Sequence, residues 1–300
     1  MRVLVLGGDG MLGHELVRTL TDRHDVAVTV RGAGRPPAAP SALPADRFFT
    51  GIDARCQDDV AGLLDRYRPD AVLNAVGLVK QRNEGQTALP AVEINTIFPH
   101  RLARLCRIAG IRLVHISTDC VFSGRRGRYT EDDQPDPVDV YGMSKLLGEV
   151  REAPALTLRT SIIGLELAGR ANGLIEWFLG RSGQISGYRR AVYTGLTTME
   201  IARLLDRILT KHEDLTGLWH VAASEPITKL DLLVRLSDRL RAAGRPVAEV
   251  VAADGPRCDR SLLADRFATA TGFTAPGWDS MLDELAGRIM LRDHGGRSDD

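Results

Sequence analysis

The sequence has few cysteines, no long apolar run and no excess of either charge, and each shortage closes off a class of function. Its four cysteines, at 56, 106, 120 and 258, show no Cys-x-x-Cys spacing. They read as reduced thiols, so neither a disulfide framework nor a metal site is expected. No stretch of the 300 residues stays apolar long enough to cross a bilayer. The charged N-terminus gives way at once to glycines and a first strand is read from residue 2, so no cleaved signal peptide is expected. Lysine plus arginine (39) equals aspartate plus glutamate (39), so no bulk field draws the chain to nucleic acid or a membrane. The expected setting is cytoplasmic, without nucleic-acid or membrane partners. No internal repeat is present.

What the chain does have begins at residue 2. Residues 2–6 are a short apolar, β-branched run, the pattern of a buried parallel strand. Gly7, Gly10 and Gly13 follow, and Leu12, Leu16, Val17 and Leu20 continue with helical period. Gly-x-x-Gly-x-x-Gly between a strand and a helix is the context of a dinucleotide fingerprint. The first glycine permits the tight turn, the second lets the backbone approach a pyrophosphate, and the third allows close packing of helix on strand. The free amides at the helix start, those of Met11 and Leu12 among them, face the anion.

Strand-like runs then alternate with helix-length segments, at 2–6, 25–30, 47–50, 70–75, 111–117 and 155–160. That rhythm predicts an α/β fold, a doubly wound parallel sheet of Rossmann type with helices on both faces. The Ala/Pro stretch 34–44 reads as a surface loop, because strand signals resume directly after it. The expected division is a dinucleotide-binding domain over 1–165, a smaller α/β substrate-binding lobe over 166–294, and a disordered tail over 295–300.

Tyr141 and Lys145 stand four apart in Val-Tyr-Gly-Met-Ser-Lys, downstream of His-Ile-Ser-Thr-Asp at 115–119. On a helix such residues share a face. A tyrosine titrates near pH ~10, and a cation beside it favours the phenolate, making it usable as a general acid or base.

Together these motifs give the chain a clear resemblance to the extended short-chain dehydrogenase/reductases, and within them to the dTDP-4-dehydrorhamnose reductase family. The matching stretches are GGDGMLGHEL (7–16), DAVLNAVG (70–77), STDCVFSG (117–124), DVYGMSKLLGE (139–149) and LTLRTSIIG (156–164). Looser matches follow at 195–198, 217–221 and 259–263. The resemblance implies a nicotinamide cofactor and a nucleotide-sugar substrate in deoxysugar biosynthesis, and a homodimer is compatible with it. By resemblance, Thr118 bonds the substrate oxygen, Tyr141 hands it a proton, and Lys145 bonds the nicotinamide ribose while holding the tyrosine's pKa down. Ser117 is adjacent but on the opposite face of its strand. Asp119 is either a loop-capping carboxylate or a substrate contact.

The same resemblance places Asp53 at the adenine amino group, and Asn74, Ala75 and Val76 at the strand end beside the nicotinamide-side ribose. At the end of the second strand, where an acidic residue would select NAD(H), stands Arg31. A guanidinium suits a 2′-phosphate, so NADP(H) is favoured over NAD(H); Arg35 is a second candidate. Arg189, Arg190, Arg257 and Arg260 are basic residues that could hold the substrate's pyrophosphate, and Lys80 and Arg82 follow the fourth strand, where the family's substrate loop lies. Two departures bear on the substrate: the family's Arg-Thr-Ser-Trp is Arg159-Thr-Ser-Ile162 here, and its Ser-Thr-Asp-Tyr ends in Cys120. The reading is an NADPH-dependent reductase of a 4-keto-6-deoxy sugar nucleotide. The alternatives are an epimerase or dehydratase on the same fold, or a non-catalytic NADP-binding regulatory subunit. Dehydratases usually carry Asp-Glu after the threonine, whereas this chain has Asp119-Cys120.

Overall fold

A computed structural model describes residues 1–30, 43–80, 87–167 and 173–295. Arg31, Arg35, Arg82, most of the 34–44 stretch and residues 296–300 of the tail lie outside them. Six strands are β1 (Arg2–Leu6), β2 (Asp25–Val30), β3 (Phe48–Thr50), β4 (Ala71–Asn74), β5 (Arg112–Thr118) and β6 (Leu156–Thr160). Each falls within one residue of its expected position. A seventh, Gly217–His220, comes from much further along and pairs with β6. The order across the sheet is Gly217–His220, β6, β5, β4, β1, β2, β3, and every pair is parallel. The chain builds outward from β1 in one direction, then returns to its other side with β4. The reversal opens a crevice at the carboxyl ends of β1 and β4, where doubly wound folds bind ligands.

The apolar runs bury both faces, as a parallel sheet requires. Val3 and Val5 join Val26, Val28, Leu73 and Leu158 in one core, whereas Leu4 and Leu6 join Ala27, Val72 and Leu113 in another. The first core is covered by helices Met11–Leu20 and Thr198–Lys211, which pack on each other. The second is covered by Gln57–Tyr67 and Phe98–Ala109. Arg112 at the start of β5 joins the layers: its guanidinium donates to the carbonyls of Ile208 (3.0 Å), His212 (2.6 Å) and Leu215 (3.2 Å). A cation there satisfies carbonyls left open at the helix end and complements its dipole.

Past residue 165 the chain therefore serves two structures. Helix Thr198–Lys211 and the Gly217–His220 strand belong to the sheet layers. The remainder forms small pairings: Gln184–Tyr188 lies parallel to Glu249–Ala253, and Ala191–Tyr193 lies between Ile227–Thr228 and Cys258–Asp259. Tyr129 and Leu262 bridge this part to the loop after β5.

Two glycines separate crowding from propensity. A Cβ on Gly13 would sit 2.0 Å from the Gly7 carbonyl oxygen, whereas one on Gly62 would meet nothing within 4 Å. Gly13→Ala should destabilise the protein by about 1–3 kcal/mol or more, and Gly62→Ala, at an exposed position of its helix, should stabilise it by about 0.5–1 kcal/mol. Urea unfolding of both checks this; equal effects would show that the Gly13 contact yields without cost.

Candidate active site

At the carboxyl end of β1 the backbone turns through Gly7, whose φ of +86° suits glycine. A Cβ on Gly7 would meet the Val76 side chain at 3.1 Å and the Ala75 carbonyl at 3.3 Å, so the β1 and β4 ends are brought together. The Gly7 N–H donates to the Thr29 hydroxyl (2.9 Å) and that of Gly8 to the Thr29 carbonyl (2.8 Å). Gly8 itself was missed in the sequence: a Cβ there would fall 1.9 Å from a Val28 methyl. Gly10 precedes the first helix, and no side chain caps its amides. A bare helix start in a cradle with no room for Cβ atoms fits a pyrophosphate, so Gly7, Gly10, Met11, Leu12 and Gly13 are suited to hold one. At the β4 end, Asn74 is buried; its Oδ1 accepts from the Val76 N–H (3.1 Å) and its Nδ2 donates to His115 Nδ1 (3.1 Å). Asp53 lies at the surface, where Arg55 donates to it at 2.6 Å and holds its carboxyl below the usual range.

Tyr141 and Lys145 share helix Val140–Leu147. Asp139 caps it, accepting from the Gly142 N–H at 2.8 Å, and pairs with Lys80 at 2.7 Å. Lys80, expected at the substrate, thus bears on the start of the helix that carries Tyr141. A Cβ on Gly142 would lie 2.3 Å from the Cys120 carbonyl oxygen, and one on Gly148 would lie 1.8 Å from that of Asn95. The helix is wedged between the turn after β5 and the π-helical segment Val92–Ile97. Asn95, also missed, is buried in that segment and holds three partners: the Leu78 N–H and carbonyl, and the Ser144 hydroxyl. Its signal, a π-turn, arises only in the folded backbone.

Alternation along β5 separates its last two hydroxyls. Ser117 donates to Glu149 (2.9 Å), away from the site. Thr118 accepts from the Cys120 N–H (3.1 Å) and donates to Asp119 (3.2 Å), and it lies beside Tyr141. One expectation is corrected here. Lys145 does not acidify Tyr141. Its ammonium donates to the Ile116 carbonyl at 2.7 Å, and burial raises the phenol's pKa, helped by Cys120, Asp119 and Asp139. The phenol keeps its proton at neutral pH. Burial lowers Lys145 to about 8, against the pull of Glu149.

Of the other basic candidates, Arg260 reaches the site: its Nε donates to the Phe122 carbonyl (2.9 Å) and its Nη1 to the Cys120 sulfur (3.3 Å). Asp119 is buried beside it, its pKa raised by desolvation and lowered by Arg260. Arg189 and Arg257 lie on the surface of the small lobe, and Arg190 pairs there with Asp254 at 3.3 Å. Behind β5 runs a buried network. Arg159 holds Glu149 through two bonds, at 2.6 and 2.8 Å. Its third nitrogen faces His220 Nε2 at 3.3 Å, which leaves His220 Nδ1 to donate to the Tyr129 carbonyl at 3.2 Å.

Fold and site together define a Rossmann-type protein of the extended short-chain dehydrogenase/reductase class. The match of residues 1–290 to the RmlD substrate binding domain places the chain in that family. It is 29% identical over 283 residues to the probable low-salt glycan biosynthesis reductase Agl14 of Haloferax volcanii, covering 88% of this chain and 85% of that protein. Identity to methionine adenosyltransferase 2 subunit beta of Danio rerio is 27% over 250 residues, 79% and 73% of the two chains. With the dTDP-4-dehydrorhamnose reductase of Streptomyces griseus it is 37% over 150 residues, 49% and 43%. Among solved structures, a hypothetical dTDP-4-dehydrorhamnose reductase from Sulfolobus tokodaii superposes with a TM-score of 0.73 at 26% identity, covering 94% and 99%. That of Bacillus anthracis, in complex with NADP, gives 0.76 at 19% identity, covering 96% and 99%, a likeness of fold.

The His220 contact has a pH signature. Burial, aided by Arg159 and opposed by Glu131, lowers its pKa from 6.5 to about 4. As pH falls below 6.5 the unfolded chain takes up a proton that the folded chain refuses, so stability is full above 6.5 and is lost towards 4. At pH 5 the loss from this residue is about 2 kcal/mol. His220→Gln keeps an acceptor for Arg159 but cannot titrate. Between pH 7 and pH 5 the wild type should lose that much more than the variant in urea midpoint-derived stability; parallel losses would show that His220 stays neutral in both states.

Proposed function

We propose that this protein is an NADPH-dependent reductase of a 4-keto-6-deoxy sugar nucleotide, like the dTDP-4-dehydrorhamnose reductases it resembles. The observation that carries the reading is the meeting of Thr118, Tyr141 and Lys145 at the carboxyl end of β5, next to the glycine cradle at the end of β1. When bound, the reduced nicotinamide supplies the hydride. The chain's own groups do the rest. Thr118, beside Tyr141, is placed to hold the substrate's carbonyl oxygen next to the phenol. A phenol whose pKa is raised is protonated at neutral pH and has a proton to give, so the oxygen gains it as the carbon gains hydride, and the ketone becomes an alcohol. Lys145 supplies a cation for the nicotinamide ribose. The absence of a glutamate after Asp119 argues against a dehydratase. The preference for NADPH rests on Arg31 at the end of β2.

Tyr141→Phe keeps the ring but removes the proton. General acid catalysis contributes about 10²–10⁴ in rate, so kcat should fall by at least that while NADPH affinity holds. Lys145→Met should lose affinity and rate together. Arg31→Ala should erase most of the preference for NADPH, since a charge-assisted contact contributes about 1.5–3 kcal/mol. The assay is NADPH oxidation against a panel of 4-keto sugar nucleotides, with fluorescence titration of both cofactors. Tight NADPH binding without turnover of any ketone would favour a regulatory subunit, and near-normal turnover by Tyr141→Phe would remove it as the donor.

A further inference from the structure

The sheet carries a hollow at the edge opposite the Thr118–Tyr141 site. Ile111 and Ala155, the residues just before β5 and β6, line a cavity of about 160 Å³. Thr118 stands at the other end of β5, about 20 Å away along the strand. The floor is apolar: Ile111, Ala155, Cys106 and Val150 are buried. Burial raises the Cys106 thiol to about 12, so it stays neutral. The rim is cationic. His100, Arg104 and Arg107 line it from helix Phe98–Ala109, spaced four and three apart and therefore on one face. Glu152, in the loop before β6, supplies the acidic part of the lining.

The two arginines have no partner of their own. Among the described residues neither guanidinium forms an ion pair or a hydrogen bond, even with Glu152 nearby. By contrast, Arg151 pairs with Glu149 at 3.1 Å, and Arg112 satisfies three carbonyls. Arg107, in the last turn, gains from the helix dipole. Arg104 lies a turn further in, and like charges at this spacing destabilise a helix. An anion in the hollow offsets that repulsion. Guanidinium forks match phosphate and carboxylate oxygens, and two of them one turn apart suit a dianion best. A cavity of roughly this size takes a ring as large as benzene, which the apolar floor favours. The hollow also adjoins the catalytic helix. His100 Nε2 donates to the Leu147 carbonyl at 2.8 Å, at the end of the helix that carries Tyr141 and Lys145. Val150 directly follows Glu149, whose carboxylate holds Arg159 and Ser117.

We propose that this hollow is an effector site for a small phosphate monoester with an apolar ring, separate from the cofactor and nucleotide-sugar sites. The phosphate sits between Arg104 and Arg107, and the ring lies on Cys106 and Ile111. Occupancy reaches the catalytic helix through His100 and Val150. Binding stands apart from the reductase reading above; the effect on turnover rests on it.

Calorimetric titration with phenyl phosphate, inorganic phosphate and phenol tests the site, with NADPH and dTDP saturating to fill the others. Wild type should bind phenyl phosphate at least tenfold more tightly than inorganic phosphate, with no measurable heat from phenol. Arg104→Gln/Arg107→Gln should weaken both phosphates at least tenfold, with NADPH affinity and melting temperature unchanged. Ala103→Phe, which fills part of the cavity, should abolish the advantage of the ring and spare inorganic phosphate. In NADPH oxidation with a 4-keto sugar nucleotide, saturating phenyl phosphate should change wild-type kcat at least twofold and leave that of the double variant unaltered. No binding at millimolar phenyl phosphate, or binding that survives the double substitution, overturns the site. Binding with unchanged kcat overturns the effector role. If the wild type reduces no ketone of the panel, the reductase reading falls, and the titration still decides the site.

Discussion

The bidentate pair between Glu149 and Arg159 is the interaction on which the rest of the site leans. Glu149 follows the helix of Tyr141 and Lys145, Arg159 lies in β6, and Ser117 of β5 donates to the same carboxylate at 2.9 Å. Three elements meet at one carboxylate, and both paired side chains are essentially excluded from solvent. Removing either partner of such a pair leaves a buried, uncompensated charge and typically costs about 3–5 kcal/mol, although the intact pair adds little net stability over an apolar replacement. Its contribution is therefore positional. It fixes the end of the helix against β5, so the lysine four residues before Glu149 comes to the Ile116 carbonyl and the hydroxyl of Thr118 faces the phenol.

The two halves of the site are built by opposite means. On the cofactor side the chain removes atoms: Gly8 and Gly13 let strand, turn and helix approach to distances at which any Cβ would collide, and Gly7 turns the backbone at a positive φ. On the substrate side it adds polar groups and buries most of them, with Thr118, Asp119, Lys145 and Tyr193 shielded and Tyr141 half-buried. Burial is the leading cause of every pKa shift among the titratable members of that set. A wedge of backbone contacts at Gly142 and Gly148 holds the two halves at a fixed spacing. The geometry is thus set largely by steric exclusion, which is stiff, and the chemistry by desolvation.

Much of this was legible in the chain because its signals are local. Apolar runs of parallel-strand length located β1 to β6 to within a residue, and the glycine spacing identified the turn at the end of β1. Period-two alternation allowed only one of Ser117 and Thr118 to face the site, and the family pattern pointed to Thr118. What could not be read depends on distant neighbours. The Gly217–His220 strand is four residues long with no alternation of its own; only the open edge of β6 makes it a strand of the large sheet. The expected acidification of Tyr141 by Lys145 failed because i and i+4 residues share a helix face without sharing hydrogen-bond partners. The nearest acceptor for the ammonium is a carbonyl of β5, and the phenol's surroundings are set by Asp119, Cys120 and Asp139. Asn95 matters through partners that no local pattern reveals.

That late strand also shapes how the chain must be made. The first six strands are complete by residue 160, yet the outer edge of β6 stays unpaired until the ribosome has added nearly sixty more residues and the strand at 217–220 can dock. At about 5–20 residues per second, the nascent sheet presents a row of open N–H and C=O groups for several seconds or more, the template on which sheets associate wrongly. The helix Thr198–Lys211, which covers the first core, is synthesised just ahead of that strand, so burial of one face and closure of the edge come as a single late event. The large sheet is therefore not closed in the order of synthesis until long after the residues of its glycine cradle have been made.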